Sequence, residues 1–164
     1  MRNRIFISVL TFVVFCCFSL FNSADQTFAQ ESERIIIGKI NQQELDSLMK
    51  NKENRSLVVA MASWCGPCRD ELPFLVRLHS KYKDKGLKII GISLDTGGPE
   101  AMQKVADKAK VNFPIYWAGE EAAERYGIYA IPMLYLIKNG KIIDKAPGQQ
   151  SEDELERKIN GLLK

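Results

Sequence analysis

One histidine, His79, stands in the whole chain of 164 residues. A protein zinc centre needs about four nitrogen or sulfur ligands, and His79 leaves the cysteines to supply nearly all of them. Cysteine is itself scarce, with four residues, two of which, Cys16 and Cys17, fall in an apolar run at the start of the chain. An exported protein that uses cysteines as staples has several, widely spaced. A pair only three positions apart, Cys65 and Cys68, closes too small a loop to stabilise much. The chain also lacks any block of lysine or arginine, and its formal net charge is only +3. That balance gives no electrostatic footing for nucleic acid. Internal repeats and low-complexity tracts are missing too, so solenoids and disordered arrays drop out.

What is present suits one globular domain: 46% hydrophobic and 26% charged residues, enough for a core without metals. The first residues read as a targeting segment. Arg2 and Arg4 precede an apolar run over 5–21, at the short end of what can cross a membrane. Thr27-Phe28-Ala29 before Gln30 is a small-residue cleavage site, with Asn22-Ser23-Ala24 as the weaker alternative. Residues 1–29 are therefore expected to be a signal peptide or an uncleaved anchor, and 30–164 the folded domain. Either outcome puts the domain outside the cytoplasm, in a periplasm or an equivalent space, because the arginines stay inside. Neither Cys16 nor Cys17 follows a small residue, which disfavours lipidation.

The pattern along the domain alternates strands and helices. Residues 35–37 form a short β-branched run, read as a first strand. Asn41 is an N-cap candidate for a helix carrying Leu45, Leu48 and Met49. Residues 57–62 are apolar on both faces, as in a strand covered on both sides. A helix is expected over 67–82, with Leu72, Leu75 and Leu78 inward and Pro73 kinking it. A strand over 87–93 follows, then a helix from about 100 facing inward with Met102, Val105, Ala106 and Ala109. A short strand over 113–116 and a short helix over 120–126 come next. Strands over 133–137 and 141–145 flank Lys138-Asn139-Gly140, a hairpin signal. Ser151 and Glu154 form a capping box for a last helix burying Leu155, Ile159, Leu162 and Leu163. The order predicts an α/β fold, a mixed sheet with helices on both faces.

The chemistry concentrates in Ser63-Trp64-Cys65-Gly66-Pro67-Cys68-Arg69, where a strand hands over to a helix. Only a thiolate attacks a disulfide. The unpaired N–H groups and dipole at a helix start stabilise a thiolate. Cys65 falls there and is expected to be the exposed nucleophile. Cys68, one turn further in, is the more buried resolving thiol. Gly66 is read as allowing close approach, Pro67 suits the first turn, and Trp64 flanks the pair. Arg69 occupies the place where haem attachment needs histidine.

Trp-Cys-Gly-Pro-Cys resembles the active site of the thioredoxin superfamily, and the similarity runs from about residue 35 to the C-terminus. Pro73 falls where the thioredoxin helix is kinked. Ile131-Pro132 resembles the family's Ile-cis-Pro, which lies against the cysteines and presents backbone to a substrate strand. A segment over 99–115, longer than thioredoxin by one helix–strand unit, resembles the insert of exported TlpA/ResA-like thiol–disulfide oxidoreductases, as does Cys68-Arg69-Asp70-Glu71-Leu72-Pro73. The short entry before residue 57 and Met133 after the proline depart from that branch. The resemblance implies a thioredoxin fold with a helix–strand insert between the Cys-Gly-Pro-Cys helix unit and the cis-proline. It implies Cys65 and Cys68 as catalytic residues, and Trp64, Gly66, Pro67, Ile131 and Pro132 as the substrate-binding surface. No metal or separate cofactor is implied beyond the redox-active disulfide. Thioredoxin keeps a buried aspartate below its cysteines, and Val59 occupies that place here. Glu71, three residues after Cys68 on the same helix face, is the candidate replacement as proton acceptor; the bland alternative is a solvated carboxylate.

The implied activity is reduction of protein disulfides, such as apocytochrome c cysteines, by a monomer recharged by a membrane electron donor of DsbD/CcdA type, with no nucleic acid involved. A disulfide oxidant or isomerase is the runner-up, and Gly66-Pro67 matches the reducing end of the family. A thiol peroxidase calls for threonine three residues before the attacking cysteine, where Ala62 stands. A non-catalytic binding module sits poorly with an intact pair and its proline. His79 reads as a surface residue, Trp117 is unassigned, and Tyr129 and Met133 fit either a substrate groove or the core.

Overall fold

A computed structural model describes residues 34–164. The expected signal segment, with Cys16 and Cys17, lies outside the described residues. The apolar segment before the cysteine motif forms β2 (Arg55–Met61). It lies in the middle of a six-stranded sheet of order β1-β4-β3-β2-β5-β6. β3 (Leu87–Ser93) runs parallel to it, with Val59 opposite Gly91. β5 (Met133–Lys138) runs antiparallel on its other side, with Val59 opposite Leu134. β4 (Ile115–Trp117) and β1 (Gly38–Lys39) extend the parallel half, and β6 (Lys141–Pro147) extends the antiparallel half.

Alternation along β2 divides the interior into two cores. Leu57, Val59 and Met61 face α2 (Gly66–Tyr82), α3 (Glu100–Ala109) and α5 (Glu152–Leu163), meeting Leu72, Leu75, Leu78, Met102, Leu155 and Ile159. Val58 and Ala60 face the other way, toward Leu45 and Met49 of α1 (Gln42–Met49) and Ala122 of α4 (Glu121–Tyr126). A strand buried on both faces needs apolar residues at every position, which is what residues 57–61 supply. The expected mixed sheet with helices on both sides is therefore observed. Among the described residues no helix is long and apolar enough to cross a membrane.

The ends of the elements follow local chemistry. Asn41 and Ser151 cap α1 and α5 with reciprocal bonds to Glu44 and Glu154. Asn139 and Gly140 turn the β5–β6 hairpin with φ of 53° and 71°. A Cβ on Gly140 would lie 2.4 Å from the Lys50 carbonyl oxygen, so the turn excludes any other residue there on two grounds. α2 passes through Pro73 without interruption.

Three expectations need correction. Residues 35–37 do not pair as a strand. The side-chain amide of Gln103 accepts from the Ile37 N–H and donates to the Ile35 carbonyl, at 2.9 Å each, so these backbone groups are satisfied by α3. The first ladder forms just after them. β4 likewise starts at Ile115 rather than at residue 113. Pro114 has no N–H to offer, and its carbonyl accepts from Gly91 N at 2.9 Å as the ladder begins. His79 is half-buried, not a surface residue. Its Nδ1 lies 3.2 Å from Asn112 Oδ1, and its ring meets Phe113 edge-on.

Phe113, within the inserted unit, is fully buried with its ring against His79 of α2. Phe113→Ala is expected to cost about 3–5 kcal/mol, read as a lower urea midpoint with an unchanged slope. A loss below about 1 kcal/mol would mean the insert is not anchored through this side chain.

Candidate active site

β2 ends at Met61, and Ala62-Ser63-Trp64 turns the chain into α2. Cys65 is the N-cap of α2, with extended backbone (φ −78°, ψ 110°), and its Sγ accepts from Cys68 N at 3.2 Å. Sulfur at this position faces an unpaired donor and the positive end of the helix dipole. Pro67 occupies the first turn, where its missing N–H costs nothing. Gly66 is not needed for packing or backbone geometry: a Cβ there would meet no atom within 4 Å.

Cys65 and Cys68 are joined as a disulfide with a Cα–Cα distance of 5.3 Å. Cys65 is 5% exposed and Cys68 2%. Both are buried, so Cys65 is not the exposed residue expected from its helix-start position. Its Sγ lies 3.7 Å from the Ile131 carbonyl oxygen, which covers it from the side of the β5 loop. The Ile131–Pro132 peptide is cis. Pro132 is buried and its carbonyl accepts from Gly148 N at 2.8 Å. Two aromatic residues of this region are open to solvent: Trp64 is 68% exposed and Tyr129 76%. Neither is core packing, whereas Met133 is buried in the core.

Glu71 is 1% exposed, not solvated. Spacing places it one turn beyond Cys68 on α2, and Val59 belongs to the same apolar core as Cys65 and Cys68. Its Oε1 accepts from Gln150 N at 2.8 Å. Burial raises its pKa to about 7, with the Gln150 bond opposing the rise. The group is therefore poised to exchange a proton near neutral pH. A carboxyl with a folded pKa above its unfolded value contributes fully below the unfolded pKa, and that contribution is lost as pH rises through the folded one. For Glu71 the window runs from about 4.5 to about 7. Between pH 4 and 8 the oxidised protein is expected to lose about 3 kcal/mol that Glu71→Gln retains. Urea titrations at both pH values check this; equal losses in the two proteins would contradict it.

Asp95, just past β3, carried no signal in the sequence reading. Its buried carboxylate accepts from Ser63 N at 3.1 Å on each oxygen, from Ser63 Oγ at 2.6 Å and from Ser93 Oγ at 2.7 Å. Its carbonyl accepts from Trp117 Nε1 at 2.6 Å, which gives Trp117 a place beside the site. The available hint was a carboxylate ending an apolar strand next to the motif's own strand. Ser63 and Trp117 lie 32 and 22 positions away in the chain, beyond any local pattern.

A cysteine disulfide at a helix N-terminus, set against a cis-proline at the end of the neighbouring strand on this sheet, defines a thiol–disulfide oxidoreductase of thioredoxin fold. Residues 28–146 match the AhpC/TSA family, and the chain belongs to it. The thiol-disulfide oxidoreductase ResA of Bacillus thuringiensis subsp. konkukian is 28% identical over 94% of both chains. ResA of Bacillus cereus is 34% identical over 57% of this chain and 55% of its own. Among solved structures, a Chlorobium tepidum protein assigned as thiol:disulfide interchange protein DsbE aligns with a TM-score of 0.65 and 28% identity, covering 71% of this chain and 85% of that one.

Proposed function

We propose that the protein reduces protein disulfides outside the cytoplasm by dithiol–disulfide exchange. The observation that carries the reading is the placement of Cys65 Sγ at the α2 N-cap, against the Ile131 carbonyl. In the reduced protein the Cys65 thiolate attacks a substrate disulfide. A bond forms from Cys65 Sγ to one substrate sulfur, and the other leaves as a thiolate. Cys68 then gives its proton to Glu71 and attacks Cys65 Sγ, which closes the intramolecular disulfide and releases the second substrate thiolate. Two electrons pass to the substrate. Trp64, Gly66, Pro67, Ile131 and Pro132 form the surface that receives the substrate backbone.

Apocytochrome c cysteines fit this chemistry as substrates, since haem attachment needs them reduced. A membrane dithiol donor of DsbD/CcdA type would return the electrons to a monomeric domain, freed or anchored by residues 1–29. Names of the ResA and DsbE relatives support the oxidoreductase reading, and Arg2 and Arg4 before the apolar run support export. Trapping tests it. A Cys68→Ala variant, expressed full-length in its own cells, should accumulate mixed disulfides on Cys65 with exported cysteine proteins. Finding no Cys65 adducts, or only cytoplasmic ones, would refute the reading.

A further inference from the structure

The ladder between β2 and β3 ends at Met61 opposite Ser93. The two residues that follow Ala62, Ser63 and Trp64, connect that ladder to the N-cap cysteine. A turn of this kind has no strand partner to fix it, yet Ser63 is fully engaged. Its N–H and hydroxyl both donate to Asp95, and its carbonyl accepts from the Arg69 guanidinium at 3.4 Å. Asp95 is in turn held from two further directions. Ser93 Oγ binds its carboxylate and Trp117 Nε1 binds its carbonyl, while Leu94 N bonds back to Met61 O at 2.9 Å. Asp95 thus joins three strand ends: its buried carboxylate ties the end of β3 to the residue two before Cys65, and its carbonyl takes the indole of Trp117 at the end of β4.

A buried carboxylate bonded to the residue two before a nucleophilic thiolate is electrostatically unhelpful, because like charge disfavours the thiolate. Its presence calls for a compensating geometric gain. We propose that Asp95 is a positioning residue for thiol–disulfide exchange: acting through Ser63, it holds the turn that sets Cys65 Sγ against the Cys68 N–H. This deepens the dithiol reading above and rests on it. Without the clamp the Ser63 N–H loses its partner inside the protein, an arrangement that costs free energy unless the turn moves to reach water. Once the turn moves, the sulfur leaves the helix N-terminus and its thiolate loses the N–H and the dipole that favour it.

Charge and geometry separate by substitution. Asp95→Asn removes the charge and keeps most of the clamp: its Oδ1 still accepts from Ser63 N and Oγ, only the second bond from Ser63 N is lost, and its amide donates to Ser93 Oγ, whose hydroxyl can turn to accept. Asp95→Ala removes both, and Ser63→Ala removes only the hydroxyl bond. The measurement is the rate of Cys65 alkylation by iodoacetamide from pH 4 to 9 in the fully reduced protein, with peptide mapping. It involves no protein substrate, so it is independent of whether the trapping experiment succeeds. Asp95→Ala is expected to raise the Cys65 midpoint and slow alkylation at pH 7 about tenfold, the factor that one unit of thiol pKa gives. Ser63→Ala should move both in the same direction by a smaller factor, and Asp95→Asn should stay within about twofold of the parent. A purely structural role would lower the unfolding midpoint and leave the thiol titration of the folded protein unmoved. A folded Asp95→Ala with the parent's rate and midpoint overturns the proposal. So does an Asp95→Asn as slow as Asp95→Ala, because the amide retains the bonds to Ser63 that the clamp requires and removing a like charge cannot by itself disfavour the thiolate. If Asp95→Ala does not fold, Ser63→Ala decides: a slower, shifted Cys65 supports the clamp, and parental behaviour overturns it.

Discussion

Cys65→Ser is expected to abolish reduction of insulin disulfides, with a fall of at least about 10³-fold, the scale on which removing a nucleophile acts. Serine at the N-cap keeps the hydrogen bond from Cys68 N and preserves α2, so the fold should survive. Its hydroxyl does not ionise near neutral pH and cannot attack sulfur. Cys68→Ser should behave differently: it retains the attacking thiol, forms a mixed disulfide once, and stalls. The pair of variants therefore separates attack from resolution. Turnover by Cys65→Ser together with a Cys68→Ser unable to form any adduct would reverse the assigned roles.

Glu71→Gln is expected to slow exchange near neutral pH with the fold retained. Cys68 must lose its proton while almost fully buried, where a free thiolate is disfavoured. Glu71 lies one turn along the same helix, and its pKa of about 7 lets it take that proton under working conditions. General-base effects are typically about 10²–10⁴-fold. Thiol exchange has a lower barrier to assist, so the loss should sit at about 10²-fold or below. The pH–rate profile should also change, because thiol and carboxyl titrations are coupled in such a site. The same substitution removes the destabilisation that builds between pH about 4.5 and about 7 and is full above it. Slower chemistry with greater stability at alkaline pH is the signature of a functional buried acid. If rate and profile both match the parent, the Cys68 proton leaves through water and Glu71 is not its acceptor.

Local signals carried most of the fold. The β3 strand over 87–93, the Asn41 and Ser151 caps and the Asn139-Gly140 turn are each set by residues within a few positions of one another, so the sequence shows them directly. The elements that shifted were governed from a distance. Gln103 takes up the backbone of residues 35 and 37, so a β-branched run that looks like a strand is not one. His79 looks like a lone surface histidine until Asn112 and Phe113 fold over it. The site divides in the same way. The helix start defines Cys65 and Cys68, and the three-residue spacing brings Glu71 onto their face. Whether Glu71 is wet or buried depends on the turn at Gln150, 79 positions away. The Asp95 clamp on Ser63 arises only when two parallel strands end side by side, and strand adjacency is a property of topology rather than of any window of sequence.

The direction of electron flow is set by the reduction potential of the Cys65–Cys68 pair. Relatives of this fold span roughly −270 to −120 mV. Equilibration of the full protein with glutathione redox buffers, followed by mass spectrometry of the alkylated Cys65–Cys68 peptide, gives the value. A potential more negative than about −200 mV is expected, so that the dithiol passes electrons to substrate disulfides. A value near −120 mV would mark the pair as an oxidant and contradict it.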